Sequence, residues 1–262
     1  MTLSLLAAHE DLELQIARLS RRIEQSPSDA RLWLRRAELH RLHRDGPSAR
    51  ADYARARALD PELAAVDLGL GRLARAEGRP SEAVRHLTDY LRRRPDDPSG
   101  LVERARARAS LGAWAPARED YEAALAGLPN PPPDLHVERA RAIRSAGSIA
   151  EAVRAIDEAI RRFGPLVTLV TEAVDLELAD GRPEAALRRI DAALEQGGRT
   201  ERWHLRRGEI LRRLGRTDDA REAYATGLRQ IEALPPARRG TRETAALENE
   251  LKARIQEVEA TR

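Results

Sequence analysis

Apolar residues along this chain return three and four positions apart, with Arg, Glu and Asp filling the gaps. That is the period of a helix with one buried face. The stretch from Val66 to Tyr90 shows the scheme. Val66, Leu70, Leu73 and Ala74 form one stripe, Gly78 interrupts it, Pro80 follows, and Ala83, Leu87 and Tyr90 form a second stripe. Glycine suits the left-handed residue that closes a helix, and proline suits the first turn of the next one, where its missing N–H costs little. The pattern predicts two helices joined by a tight turn.

This hairpin is written six times. Ala49, Ala83, Ala117, Ala152, Ala186 and Ala220 are spaced 34, 34, 35, 34 and 34 residues apart. Four positions after each stands Tyr53, Leu87, Tyr121, Ile156, Ile190 or Tyr224, and seven after each stands Ala56, Tyr90, Ala124, Ala159, Ala193 or Gly227. These offsets place all three residues on one helix face. Twelve positions before each alanine lies a mostly small residue of the preceding helix: Ala37, Gly71, Ala105, Ala140, Val174 and Gly208. Small residues at these sites let neighbouring helices approach closely. Gly78, Gly112, Gly147, Gly181 and Gly215 separate the helices in five units; Pro61, Pro95 and Pro129 close the first three, and Pro165 falls one place late in the fourth.

With Trp33, Ala37, Ala49, Tyr53, Ala56 and Pro61 in its first unit, the chain resembles the tetratricopeptide repeat family, whose pattern has these residue types at these offsets. The resemblance covers residues 30–234, with repeats starting near Ala30, Ala64, Pro98, Pro133, Val167 and Glu201. It departs from the pattern at Val174, which is large for its site, and in the last two repeats, which lack the closing proline. The implied fold is all-α: a right-handed α-solenoid of about six helix hairpins. Two flanks complete the expected organisation. Leu12, Ile16, Leu19 and Ile23 mark an N-terminal helix within residues 1–29 that packs on the first repeat. Leu247, Leu251, Ile255 and Val258 mark a C-terminal helix within residues 235–262 that covers the last apolar face, as an open stack requires. The segment LPNPPPDL, residues 128–135, reads as a local change of geometry between repeats three and four rather than a domain boundary.

Composition agrees with a helical chain: 42% hydrophobic, 34% charged and only 3% aromatic. Charge narrows the partners. Forty-five Arg and one Lys face 43 acids, for a net charge of +3, and the two signs are interleaved. A nucleic-acid binder concentrates its basic residues on one face, whereas the only dense run here is LRRRP at residues 91–95. There is no cysteine, hence no disulfide or thiolate chemistry. No apolar stretch approaches the roughly 20 residues that span a bilayer. The opening MTLSLLAAHE has a short apolar run without a preceding basic residue, so it falls short of a signal peptide and a cytoplasmic protein is expected. Export is the alternative if the natural start lies upstream.

No catalytic constellation assembles. Gly69 and Gly71 lack the third glycine and the preceding strand of a dinucleotide loop. His40 and His43, with Asp45 nearby, are too few for an ordered metal site. No enzyme activity, metal or cofactor is expected.

Binding is the expected role. In the family the first helix of each hairpin lines a concave groove through its positions 2, 5, 6, 9, 12 and 13. By that resemblance Arg72, Arg75, Arg106, Arg141 and Arg144 would face the groove beside an apolar row that includes Leu68, Val102 and Val137. Arginine's planar fork suits carboxylates, so the implied partner is a protein or peptide segment that is acidic or amphipathic. Two alternatives stand beside it. The arginines form a solvated face, with Glu103 and Glu138 pairing to Arg106 and Arg141 on their own helices; or the chain self-assembles through its end helices as a homo-oligomer.

Overall fold

The computed structural model describes residues 2–197 and 200–260, with side chains from residue 11 onward. The side chains of the opening apolar run, on which the signal-peptide reading turned, lie outside the described residues. The described residues form fifteen helices and no strand, and the chain divides into two compact units, Met1–Ala146 and Gly147–Arg262.

The first unit contains α1 (Thr2–Gln25), α2 (Ala30–Leu42), α3 (Gly46–Leu59), α4 (Ala65–Ala76), α5 (Pro80–Arg93), α6 (Pro98–Ser110), α7 (Trp114–Gly127) and α8 (Pro133–Ser145). Each helix packs on the next, and α4 also touches α2 and α6, so the first helices of successive hairpins share a layer. The proline-rich residues 129–132 connect α7 to α8 inside this unit. The second unit contains α9 (Ile149–Phe163), α10 (Val167–Ala179), α11 (Pro183–Glu195), α12 (Glu201–Arg213), α13 (Thr217–Glu232), α14 (Pro236–Arg239) and α15 (Arg242–Ala260). Consecutive packing holds from α9 to α13, and α15 returns to pack on α13. Each unit is thus a stack of hairpins in the α-solenoid manner.

The small residues explain why the hairpins close. Ala49, Ala83, Ala117, Ala152, Ala186 and Ala220 are all 0% exposed. Where glycine replaces alanine the helices come closer still: a Cβ added at Gly71 would lie 2.5 Å from Leu87 Cγ, and one at Gly208 would lie 2.3 Å from Tyr224 Cε1. Real side chains do not tolerate such distances, so backbone approach and residue choice fix each other. The large residues four positions after the alanines, among them Tyr53, Leu87, Ile156, Ile190 and Tyr224, fill the seams and are fully buried.

The turns follow the expected chemistry with one substitution. Gly78, Gly112, Gly181 and Gly215 take φ of 70–73° as each first helix ends. The first hairpin has no glycine there. Arg44 occupies the equivalent place at φ 63°, a left-handed conformation that costs a side-chain-bearing residue about 1 kcal/mol. In the second unit α15 seats Leu247, Leu251 and Val258 in the same buried cluster as Tyr224 and Ile231. That contact removes from water the face that α13 would otherwise expose.

Candidate protein-interaction face

The five arginines singled out from the sequence all lie in the first unit, on α4, α6 and α8, and the structure gives three of them acidic partners on a neighbouring hairpin. Arg75 Nε donates to Glu103 at 2.7 Å, and Arg72 Nε lies 3.8 Å from the other Glu103 oxygen. Arg106 grips Glu138 with two hydrogen bonds, 2.9 Å from Nε and 2.8 Å from Nη2. The Tyr121 hydroxyl donates to the same carboxylate at 2.9 Å. The pairing on one helix that the sequence suggested is the weaker contact, with Arg106 3.7 Å from Glu103.

Charge and burial act on this cluster together. Burial works against ionisation of Glu138, but the hydrogen bonds and charge of Arg106 outweigh it and hold the carboxyl below the usual range. The same bond raises the already high pKa of Arg106. Burial pushes the Tyr121 phenol up, and the charge of Glu138 adds to it, so the hydroxyl stays a donor.

A rule connects these contacts. The ninth residue of a repeat pairs with the sixth residue of the next: Arg72 with Glu103, and Arg106 with Glu138. At the first junction the ninth residue is Glu38, which takes bonds from Arg41 at 3.0 and 2.8 Å and from the Tyr53 hydroxyl at 2.5 Å. The sixth residue of the next repeat is then Gly69, where an added Cβ would stand 2.6 Å from Glu38 Oε1 and 2.5 Å from Tyr53 Cε1. Gly69 is small because Glu38 fills its space, not because a phosphate needs it. The second unit repeats the geometry with the signs exchanged: Asp175 pairs with Arg206, and Glu209 lies 3.9 Å from Arg254 on α15. None of these partners was assigned from the sequence, although complementary charge at the two sites is visible once the repeats are aligned.

The remaining residues sit as follows. Leu68 and Val102 are half-buried and pack on the cluster of Tyr90, Leu91, Leu101 and Ala124. Val137 is 7% exposed, so little of it is offered to a partner. On α8, Arg141 is exposed and Arg144 half-buried. Away from this face, Arg36 bridges to Asp52 at 2.7 and 2.8 Å, and Arg104 to Asp120 at 2.9 and 2.7 Å. Each of these pairs ties the two helices of one hairpin.

The histidines weighed as metal ligands do not converge. His40 lies 3.6 Å from Asp45 and 3.8 Å from Asp52, while His43 faces Glu13 at 3.8 Å. Among the described residues one group has ligand spacing: Asp67, His86 and Asp89, with donor atoms within 4.8 Å of one another. Its carboxylates are already engaged, Asp67 by Arg57 and Arg93 and Asp89 by Arg92. Three guanidinium groups make a poor setting for a further cation.

The comparisons with known proteins agree with the geometry. A family model described as tetratricopeptide repeat matches residues 68–134 and 171–235. Among solved structures, the chain is similar to YrrB, described as a TPR protein with an unusual peptide-binding site; identity is 18% over 68% of this chain and 91% of that one, with a TM-score of 0.59. It is also similar to a tetratricopeptide repeat protein from Parabacteroides merdae, 15% identical over 95% of this chain and 94% of that one, with a TM-score of 0.60. A third similar structure is PilW, described as a widely conserved type IV pilus biogenesis factor, 20% identical over 70% and 84% of the two chains with a TM-score of 0.60. At these identities the likeness speaks to the fold alone. No curated protein sequence matches the chain.

Proposed function

The chain belongs to the tetratricopeptide repeat family, a fold of protein-interaction scaffolds, and on that premise we propose that the first unit captures an acidic, amphipathic segment of a partner protein. One observation supports this reading: of the five arginines on α4, α6 and α8, three, Arg72, Arg75 and Arg106, share only two carboxylates, Glu103 and Glu138. Half-buried Leu68 and Val102 lie among these charges and offer apolar contact. A partner that alternates carboxylates with large apolar side chains matches both features. That YrrB is described as having a peptide-binding site supports a peptide-sized partner.

The structure sharpens the choice of test. Arg106 is committed to Glu138, so reversing its charge would break an internal tie as well as any external one. Arg141→Glu with Arg144→Glu places both changes on α8, away from the Glu103 and Glu138 ties. Peptides selected from a random display library by the wild-type protein are expected to be rich in Asp and Glu around Leu, Ile or Phe, and the double variant is expected to lose them while keeping its helical circular-dichroism signal. Selected peptides with no acidic bias, or equal retention by the variant, would contradict the proposal.

A further inference from the structure

The second unit carries a cavity of about 440 Å³ that the reading above does not use. It opens between α10 and α12, where Thr171 and Leu205 hold the repeat position of Leu68 and Val102 and Glu209 that of Arg72, and Glu243 of α15 closes one side. Val167, Thr171 and Leu205 line its apolar part, and Trp203 backs it. Val167 is 66% exposed and Leu166 beside it 42%, high values for large apolar side chains in a helical stack.

The polar lining is acidic where the first unit is basic. Glu201, Glu209 and Glu243 line the cavity against Arg202 and Arg206. Both arginines are engaged: Arg202 donates to Glu243 at 2.7 Å, and Arg206 bonds Asp175. Glu209 is only 3.9 Å from Arg254. Glu201 stands apart. It is 7% exposed, and among the described residues its carboxylate has no hydrogen bond or ion pair, only the more distant charge interaction with His204. Neither of its oxygens is among the fully buried unpaired atoms, so the carboxylate stays open to an incoming cation from the cavity.

We propose that this cavity holds an arginine side chain of a partner segment, with an aliphatic neighbour of that arginine resting on Val167 and Leu205. The guanidinium fork fits a carboxylate with two bonds, and its methylene stem suits apolar walls. The volume lies within the range of small, specific binding sites. The two units therefore select opposite charge, and this site is independent of the one on α4, α6 and α8.

The test is fluorescence anisotropy on the full chain with two dye-labelled peptides, one with a central Leu-Arg-Leu and one with Glu in place of that arginine. The arginine peptide is expected to bind and the glutamate peptide not to. Glu201→Gln, nearly the same shape without the charge, is expected to weaken the arginine peptide about tenfold or more. Val167→Arg, at an exposed position that does not threaten folding, is expected to abolish binding by filling the mouth with a cation. Arg141→Glu with Arg144→Glu is expected to leave this affinity unchanged, which separates failure here from failure of the first-unit reading. Equal binding of the two peptides, no binding by the wild-type chain, or wild-type affinity in the Val167→Arg variant would each overturn the proposal.

Discussion

At the scale of single residues the chain is governed by size and by backbone hand. The 0%-exposed alanines and the close-packed Gly71 and Gly208 were legible from a 34-residue period alone, because a helix seam tolerates only small side chains where backbones meet. Arg44 is the exception that tests the turn argument. It holds φ 63° where four later hairpins place glycine at 70–73°. Its side chain is exposed, so replacement removes little packing. Arg44→Gly is therefore expected to stabilise the first unit by about 0.5–1 kcal/mol, the strain of a left-handed non-glycine residue less the added freedom of the unfolded chain. Chemical denaturation read by circular dichroism checks it; a destabilised variant would contradict the account of this turn.

Between elements, adjacent hairpins are joined by charge as well as by apolar contact. The cross-repeat pairs were missed in the sequence for a physical reason. Partners such as Arg106 and Glu138 are 32 residues apart, and only stacking brings them together, whereas Glu103 and Arg106 lie three apart on one helix and attract attention first. The signal was present in the alternation of sign: Arg72 and Arg106 precede Glu103 and Glu138, and Asp175 precedes Arg206. Glu138 makes the point testable. Its carboxyl is held below the ordinary pKa of about 4.3. A depressed carboxylate contributes stability that is complete above the unfolded value and is lost as pH falls through the folded one. Glu138→Gln should thus cost about 1 kcal/mol at pH 7, where Arg106 and Tyr121 lose a charged acceptor. The cost should shrink as the pH is lowered below about 4, where the wild type loses the same charge. Thermal melts of both proteins from pH 7 down to acid measure this, and a difference independent of pH would contradict the ionic account.

For the whole molecule, the family and the helical architecture could be read from the sequence, while the division into two compact units could not. The division falls between Ala146 and Gly147, at a repeat glycine that looks like every other, and not at the proline-rich residues 129–132. The cross-repeat pairing of the candidate arginines was not legible in the sequence. The arginines stand on the helices expected of them, yet Arg72, Arg75 and Arg106 spend part of their charge on Glu103 and Glu138. Reversal of charge on α8 therefore tests capture away from the Glu103 and Glu138 ties. In the second unit the cavity lining instead carries three acids, Glu201, Glu209 and Glu243, against Arg202 and Arg206.

The most direct measurement is the affinity of the full chain for a dye-labelled amphipathic peptide with carboxylates spaced between leucines, titrated at low and high salt. Tight binding that weakens with salt, and that falls about tenfold or more in the Arg141→Glu, Arg144→Glu variant, is the predicted result. Affinity unmoved by either the salt or the two substitutions would contradict a basic capture face on the first unit.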